Sequence, residues 1–324
     1  MQDYFCTLFD ANYLIKGVAM LQSLKQNCPT AHVHVLCMDE LTHEIIGALG
    51  LPDVTCLTLR DVESDDLLAV KPSRSLAEYC WTLSPCLPWY VLQSNPNIKR
   101  ITYLDADLYF FSSLKPLFDE IGDASVVIIE HRFPPERKNL EINGRFCVEW
   151  VGFSRDEQGM ACLARWRKQC IEWCFHRLEE DRMGDQKYLD QWPGRFSRLH
   201  ILRHLGAGVA PWNYSQYSFE QDGQGSISVN GAPLIFYHFH QFQLLSNGGF
   251  DRLSATYRAL GHEPTPVYEA YETALIDVLR DIRELRPNFT AGMKPALRIK
   301  SQRLAQYLLP LPLKQFLKKF IKAV

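Results

Sequence analysis

A chain of 324 residues, 47% of them hydrophobic, has enough apolar side chain for one large α/β domain or two small ones. Its formal charge of -2 argues against nucleic-acid binding, which calls for a basic excess over the whole domain. No apolar stretch reaches the roughly 20 residues that cross a bilayer, and Met1-Gln2-Asp3-Tyr4 lacks the cationic start of a signal peptide, so a cytoplasmic location is expected.

Tyr4 to Phe9 reads as a first strand. Leu14, Val18, Leu21 and Leu24 then recur at helical spacing, and His32 to Cys37 returns to a valine-rich strand, completing one βαβ unit. Asp39 is placed to cap a second helix, and Val54 to Leu59 forms a third strand. A helix from Leu76 to Leu92 is interrupted by Pro85 and Pro88, and a strand from Ile101 to Leu104 ends in Asp105. This alternation predicts an α/β domain with a largely parallel sheet. Further strands are expected at Ser125 to Ile129, Phe146 to Phe153, His200 to Leu202 and Leu234 to His238, with a helix from Glu157 to about His176. Gly206 to Gly231 reads as loop-rich, and Pro266 to Arg286 as a helix. The ten cysteines, spread through apolar segments, read as reduced packing residues.

After Leu285 the chain carries lysine and arginine and no acidic residue. Beyond Pro312, Leu313, Phe316, Leu317, Phe320, Ile321 and Val324 share one helical face and Lys314, Lys318, Lys319 and Lys322 the other. A helix docked on the domain and an interfacial helix both fit that pattern; the lysine excess favours an anionic membrane surface. The expected division is a domain over 1–250, a helical part packed on it over 251–290, and a basic amphipathic tail over 291–324 that makes the protein peripheral to the membrane.

Asp105 and Asp107 stand two apart amid Tyr103, Leu104, Leu108 and Tyr109. Burying two carboxylates there is costly unless a cation compensates, and Mg²⁺ or Mn²⁺ also grips phosphate oxygens. The carboxyl end of a strand is where open α/β sheets bind ligands, although two aspartates around an alanine also suit a turn. An imidazole ligand would favour Mn²⁺ over Ca²⁺; His238 and His240 share a strand face, so either suits. Asp185 and Gln186 enter a helix where an acid and an amide can orient a sugar, or Asp185 can simply cap it. Gly206 to Asn213 reads as a substrate loop with Trp212 as a stacking platform, or as an ordinary turn. Cys170, Cys174 and His176 do not make a zinc site, since no second pair stands at the right spacing. No P-loop, glycine-rich dinucleotide fingerprint or nucleophile elbow is present.

Four segments in order resemble the GT-A fold of nucleotide-sugar glycosyltransferases, specifically the retaining glycogenin-like and bacterial lipopolysaccharide galactosyl- and glucosyltransferase group. They are FCTLFDANYLIKGVAMLQSL, YLDADLYFFSSLKPLF, GDQKYLD and HFHQF. The resemblance implies a Rossmann-like α/β domain with a helical, basic C-terminal extension. It implies that Asp105, Asp107 and His238 hold Mn²⁺ or Mg²⁺, and that Asp185 and Gln186 line the sugar pocket. Thr7, Asp10, Asn12, Asp105 and Ala106 would contact the nucleotide sugar, beside Trp212 and Asn213 of the substrate loop. The implied activity is hexose transfer from a nucleotide sugar, UDP-hexose foremost, to a saccharide or lipid-linked acceptor with retention.

The sequence departs from the group's pattern in three places. Cys147 and Glu149 stand where the group often has Asn and Gly. An arginine usual near Trp81 is absent, leaving Lys71 or Arg74 for the phosphates. The HxxGxxKPW ending lacks its glycine and lysine after His238, so closure over the diphosphate is expected to differ. Rival readings are a sugar nucleotidyltransferase, which needs a glycine-rich loop where Asp10 to Tyr13 stand, a haloacid-dehalogenase-type phosphatase, and a catalytically dead binding module of the same fold.

Overall fold

The structure, a computed structural model, describes residues 2–254, 257 and 263–296. β1 (Asp3–Phe9), α1 (Leu14–Asn27) and β2 (Ala31–Cys37) form the expected first unit, the strands parallel from Asp3↔Ala31 to Phe9↔Cys37. Along β1 the side chains alternate between two cores, Phe5 and Phe9 on one face and Cys6 and Leu8 on the other. Asp39 caps α2 (Glu40–Leu49) by accepting from Thr42 N, as expected, and Gly50 ends the helix at φ 58°.

β3 (Val54–Thr58) lies parallel to β2 at the sheet edge. The short helices α3 (Leu59–Val62) and α4 (Asp65–Val70) follow. The expected long helix is two, α5 (Leu76–Leu83) and α6 (Cys86–Ser94), because Pro85 has no N–H to continue the ladder. Pro88 is harmless in the first turn of α6, where N–H groups lack intrahelical partners in any case.

β4 (Arg100–Leu104) pairs parallel with β1, and β5 (Leu108–Phe110) follows after three residues. α7 (Lys115–Ile121), β6 (Val126–Glu130), β7 (Phe146–Ser154), α8 (Glu157–Glu172) and β8 (Leu199–Leu202) complete the main layer. The seven strands run in the order β3-β2-β1-β4-β7-β6-β8, with β7 antiparallel to both neighbours. α8 stops before the expected His176 because Trp173 turns extended, and it and Cys174 are buried.

The stretch read as loop-rich contains strands at its end. β9 (Phe219–Gln221), β10 (Ile227–Val229) and β11 (Ala232–Pro233) form a small antiparallel sheet. β12 (Phe236–His238) then pairs antiparallel with β5, setting Phe236 against Phe110 and His238 against Leu108. α9 (Thr265–Leu285) buries Tyr268, Tyr271, Leu275, Val278 and Ile282 in the core that also takes α1, and the Tyr271 ring stacks on Phe239 at 3.7 Å. No helix among the described residues is long and apolar enough to cross a membrane. The amphipathic stretch beyond Pro312 lies outside the described residues.

Candidate functional site

Asp105 leaves the end of β4 with its N–H donating to Glu149 O on β7 at 3.2 Å. Asp107 accepts at its main-chain oxygen from Phe239 N at 2.9 Å, and the β5–β12 register sets His238 beside it. His238 Nε2 therefore lies 3.0 Å from Asp107 Oδ1 and 3.9 Å from Asp105 Oδ2. Its Nδ1 lies 2.7 Å from Glu149 Oε2. Asp107 and His238 are buried, while the Asp105 side chain keeps 30% of its surface open. His240 is close enough that its ring nitrogen, Asp107 and His238 all fall within 4.8 Å of one another.

Charge is unevenly settled in this cluster. Burial, with the charges of Asp107 and Asp185, lifts the Asp105 carboxyl to about 7 despite His238. Burial also pushes Asp107 upward, but the charge and hydrogen bond of His238 outweigh it and hold Asp107 well below the usual carboxylate range. His238 is the converse: burial lowers it, and Asp107, Cys147 and Glu149 together raise it well above an ordinary imidazole. Two carboxylates and an imidazole crowded this way fit a divalent cation, which would offset the cost of burying Asp105 as a carboxylate.

Around this centre stand groups far apart in sequence. Asp10 accepts from Asn12 N, Tyr13 N and Asn12 Nδ2 at 3.0, 3.2 and 2.8 Å, a side-chain turn that starts α1. Asp185 is buried; burial raises it to about 7 against the hydrogen bond of Ser84, and its charge is felt at Asp105. The capping alternative for Asp185 is corrected: the short 3-10 helix covers Lys187–Gln191, and Gln186 precedes it without a side-chain cap. Gln186 donates through Nε2 to Asn143 O at 2.9 Å.

Several expected donor contacts are placed differently. Thr7 is fully buried in β1. Asn213, at 0% exposed, spends its amide on Ala210 N, His131 O and Gly208 O, so it clamps its own loop and offers nothing to a sugar. Trp212 is no exposed platform either. It is buried, donates to His131 O at 2.9 Å, and sets its ring edge-on to His238 and His240 at 5.1 and 5.6 Å. Arg74 lies over the Phe175 ring at 3.9 Å and donates to Ile171 O, and Lys71 pairs with Glu63 at 2.5 Å. Ala106 is buried between the two aspartates.

Two lysines add to the charge of His238 near the cluster, Lys16 directly at Asp107 and Lys294 beside Lys16. Lys16, only 6% exposed on α1, has Nζ 4.7 Å from the centre of the Tyr13 ring and no hydrogen-bond or ion-pair partner among the described residues. Burial lowers its affinity for a proton, Asp107 raises it and Lys294 lowers it again, so both charges are near. Lys294 arrives after α9 in the run Gly292-Met293-Lys294-Pro295, held by Lys294 N to Leu244 O at 2.8 Å and by Gly292 N to Asn12 Oδ1 at 3.3 Å. A Cβ on Gly292, whose φ is 77°, would lie 2.1 Å from Asn12 O, so glycine alone permits this approach. The pattern's glycine and lysine are absent just after His238, and a glycine and a lysine from beyond α9 stand instead against Asn12 and Leu244. The signal was the short Gly-x-Lys-Pro run itself.

No family model matches the sequence. Two uncharacterized proteins of Bacillus subtilis strain 168 align with it almost end to end. YfnF is 31% identical over 296 residues, covering 89% of this chain and 97% of YfnF, and YfnD is 31% identical over 297 residues, covering 90% and 94%. Among solved structures, the galactosyltransferase LgtC in complex with donor and acceptor sugar analogues matches with a TM-score of 0.51 at 13% identity, over 85% of this chain and 95% of LgtC. The glycosyltransferase GlyE of Streptococcus pneumoniae TIGR4 matches with a TM-score of 0.51 at 13% identity, over 91% of this chain and 66% of GlyE. Likeness at such identity speaks for the fold. The chain therefore has the GT-A glycosyltransferase fold and belongs to the family of YfnF and YfnD.

Proposed function

We propose that this protein is a metal-dependent glycosyltransferase that moves a hexose from a nucleotide sugar, UDP-hexose, to a saccharide or lipid-linked acceptor with retention. The observation that carries the reading is the meeting of Asp105, Asp107 and His238 just beyond β4, with Tyr13 of the Asp10 turn in the field of all three and the charge of Asp185 felt at Asp105. Asp105, Asp107 and His238 would hold Mn²⁺ or Mg²⁺, which when bound supplies Lewis-acid stabilisation of the departing diphosphate. Asp10 and Asn12 shape the loop that receives the nucleotide. Lys16 and Lys294 add fixed positive charge where the diphosphate gathers negative charge, the kind of preorganised electrostatics that accelerates a reaction most.

Asp185 and Gln186 flank the sugar. The bond from the anomeric carbon to the phosphate oxygen breaks with its electron pair on that oxygen. The acceptor oxygen forms its bond to the same face, and its proton passes to the diphosphate. Retention and the UDP preference rest on the resemblance of the four sequence segments to the retaining group. The test is a panel of nucleotide sugars incubated with Mn²⁺ and without it. One UDP-hexose should be hydrolysed slowly in the presence of the metal, and far less after chelation. Metal-independent turnover would sink the metal role, and no turnover of any nucleotide sugar would sink the reading as an enzyme.

A further inference from the structure

We infer that Glu149, resting on the metal-site reading above, is a positioning residue that holds His238 through Nδ1 so that Nε2 faces the space shared with Asp105 and Asp107. Glu149 is 0% exposed. Its Oε2 accepts from His238 Nδ1 at 2.7 Å, and its Oε1 has no hydrogen-bond partner among the described residues. A carboxyl group so placed is costly, and an apolar residue would fold there at less expense.

Two features of the backbone make room for it. The β6–β7 register shifts between Val127 and Ile129, the kind of irregularity that re-aims a side chain beside an active site. Trp150, the next residue, stacks on Phe236 in the core of β12, while Cys147 and Glu149 stand within ligand distance of His238. Across the site, Gly208 sits at φ 65°, where a Cβ would come 2.5 Å from Ile129 Cδ1 and 3.0 Å from Glu149 Oε1. The register shift and the absent side chain at Gly208 together leave space around the acid.

The acid does for the imidazole what a carboxylate behind a metal-binding histidine does generally. With the Nδ1 proton donated to Glu149, the Nε2 lone pair and the ring plane are set before the cation arrives. The same contact separates the two histidines. His240 has no hydrogen bond to its ring among the described residues and is placed by ring packing against Trp212, His238 and Tyr257, whereas His238 meets a carboxylate at each ring nitrogen. Glu149 therefore selects His238 as the ligand, a choice that strand alternation leaves open.

The experiment measures Mn²⁺ affinity by calorimetry on the whole chain, as wild type, Glu149→Gln and Glu149→Leu, with folding checked by circular dichroism. Glu149→Leu should weaken Mn²⁺ by about 10- to 100-fold. Glu149→Gln should lose less, because its amide oxygen still accepts from Nδ1. Nitrogen-15 spectra of the histidine rings in the wild type loaded with Zn²⁺, a diamagnetic probe, should show His238 protonated on Nδ1 and bound through Nε2. Folded variants with wild-type Mn²⁺ affinity would overturn the inference, as would a proton on Nε2 in the Zn²⁺ form. Should both variants fail to fold, the wild-type spectrum decides alone. A wild type that binds no Mn²⁺, with or without UDP, would remove the metal-site reading itself and this inference with it.

Discussion

Asp185 and Asp105 are both lifted to about 7 mainly by burial, and at Asp185 this has a consequence for stability. A carboxyl whose folded pKa exceeds its ordinary 3.8 holds its proton better in the native state, so native stability from it is complete below about pH 4 and is lost as the pH climbs through 7. Asp185→Asn removes that slope. In the metal-free protein the melting temperature of the wild type minus that of the variant should therefore fall as the pH rises from 4 to 7; a constant difference would contradict the raised Asp185. Ser84 bonds its carboxyl, and its charge is felt at Asp105, Cys80, Tyr103 and Cys170. At this scale Asp105, Asp107 and His238 were readable from the sequence as a group, and the structure brings the three together. The sequence misled where a polar or aromatic residue serves the scaffold, as Trp212 and Asn213 do, since nothing local tells a buried clamp from an exposed contact.

The elements show why the contact of Gly292 with the loop before α1 was hidden. β1, α1 and β2 follow directly from local periodicity, and Asp39 announces α2 by its side chain. Gly292 N reaches Asn12 Oδ1 and Lys294 N reaches Leu244 O from beyond α9, and contacts of such separation leave no mark on local pattern. The register shift that aims Glu149 is equally silent in a strand that reads as apolar throughout. The Gly292 contact makes a sharp prediction. Gly292→Ala puts a methyl group 2.1 Å from Asn12 O at a positive φ, so it should destabilise the protein by about 1–3 kcal/mol and weaken UDP binding in the presence of Mn²⁺. Gly223→Ala, where a Cβ meets nothing within 4 Å, is the control and should be close to neutral. Equal behaviour of the two variants in melts and titrations would contradict that contact.

For the molecule as a whole, the sheet and its helices form a GT-A fold, and the family is that of YfnF and YfnD. The cationic run that follows has its apolar residues on one helical face and lysines on the other. We propose that it rests on an anionic membrane surface, which would bring the site to a lipid-linked acceptor. Ending the chain at Pro312 should release the protein from anionic lipid vesicles and leave donor hydrolysis intact; unchanged vesicle binding would reject the anchor.

The most direct test of the central claim is the turnover of a UDP-hexose by Asp105→Asn and Asp107→Asn in Mn²⁺, with melting curves recorded in parallel. Both variants should fold and lose about 100-fold or more in rate, as loss of a group that stabilises developing charge does. Folded variants that turn over the donor at the wild-type rate would contradict the claim that these two aspartates hold the metal on which sugar transfer depends.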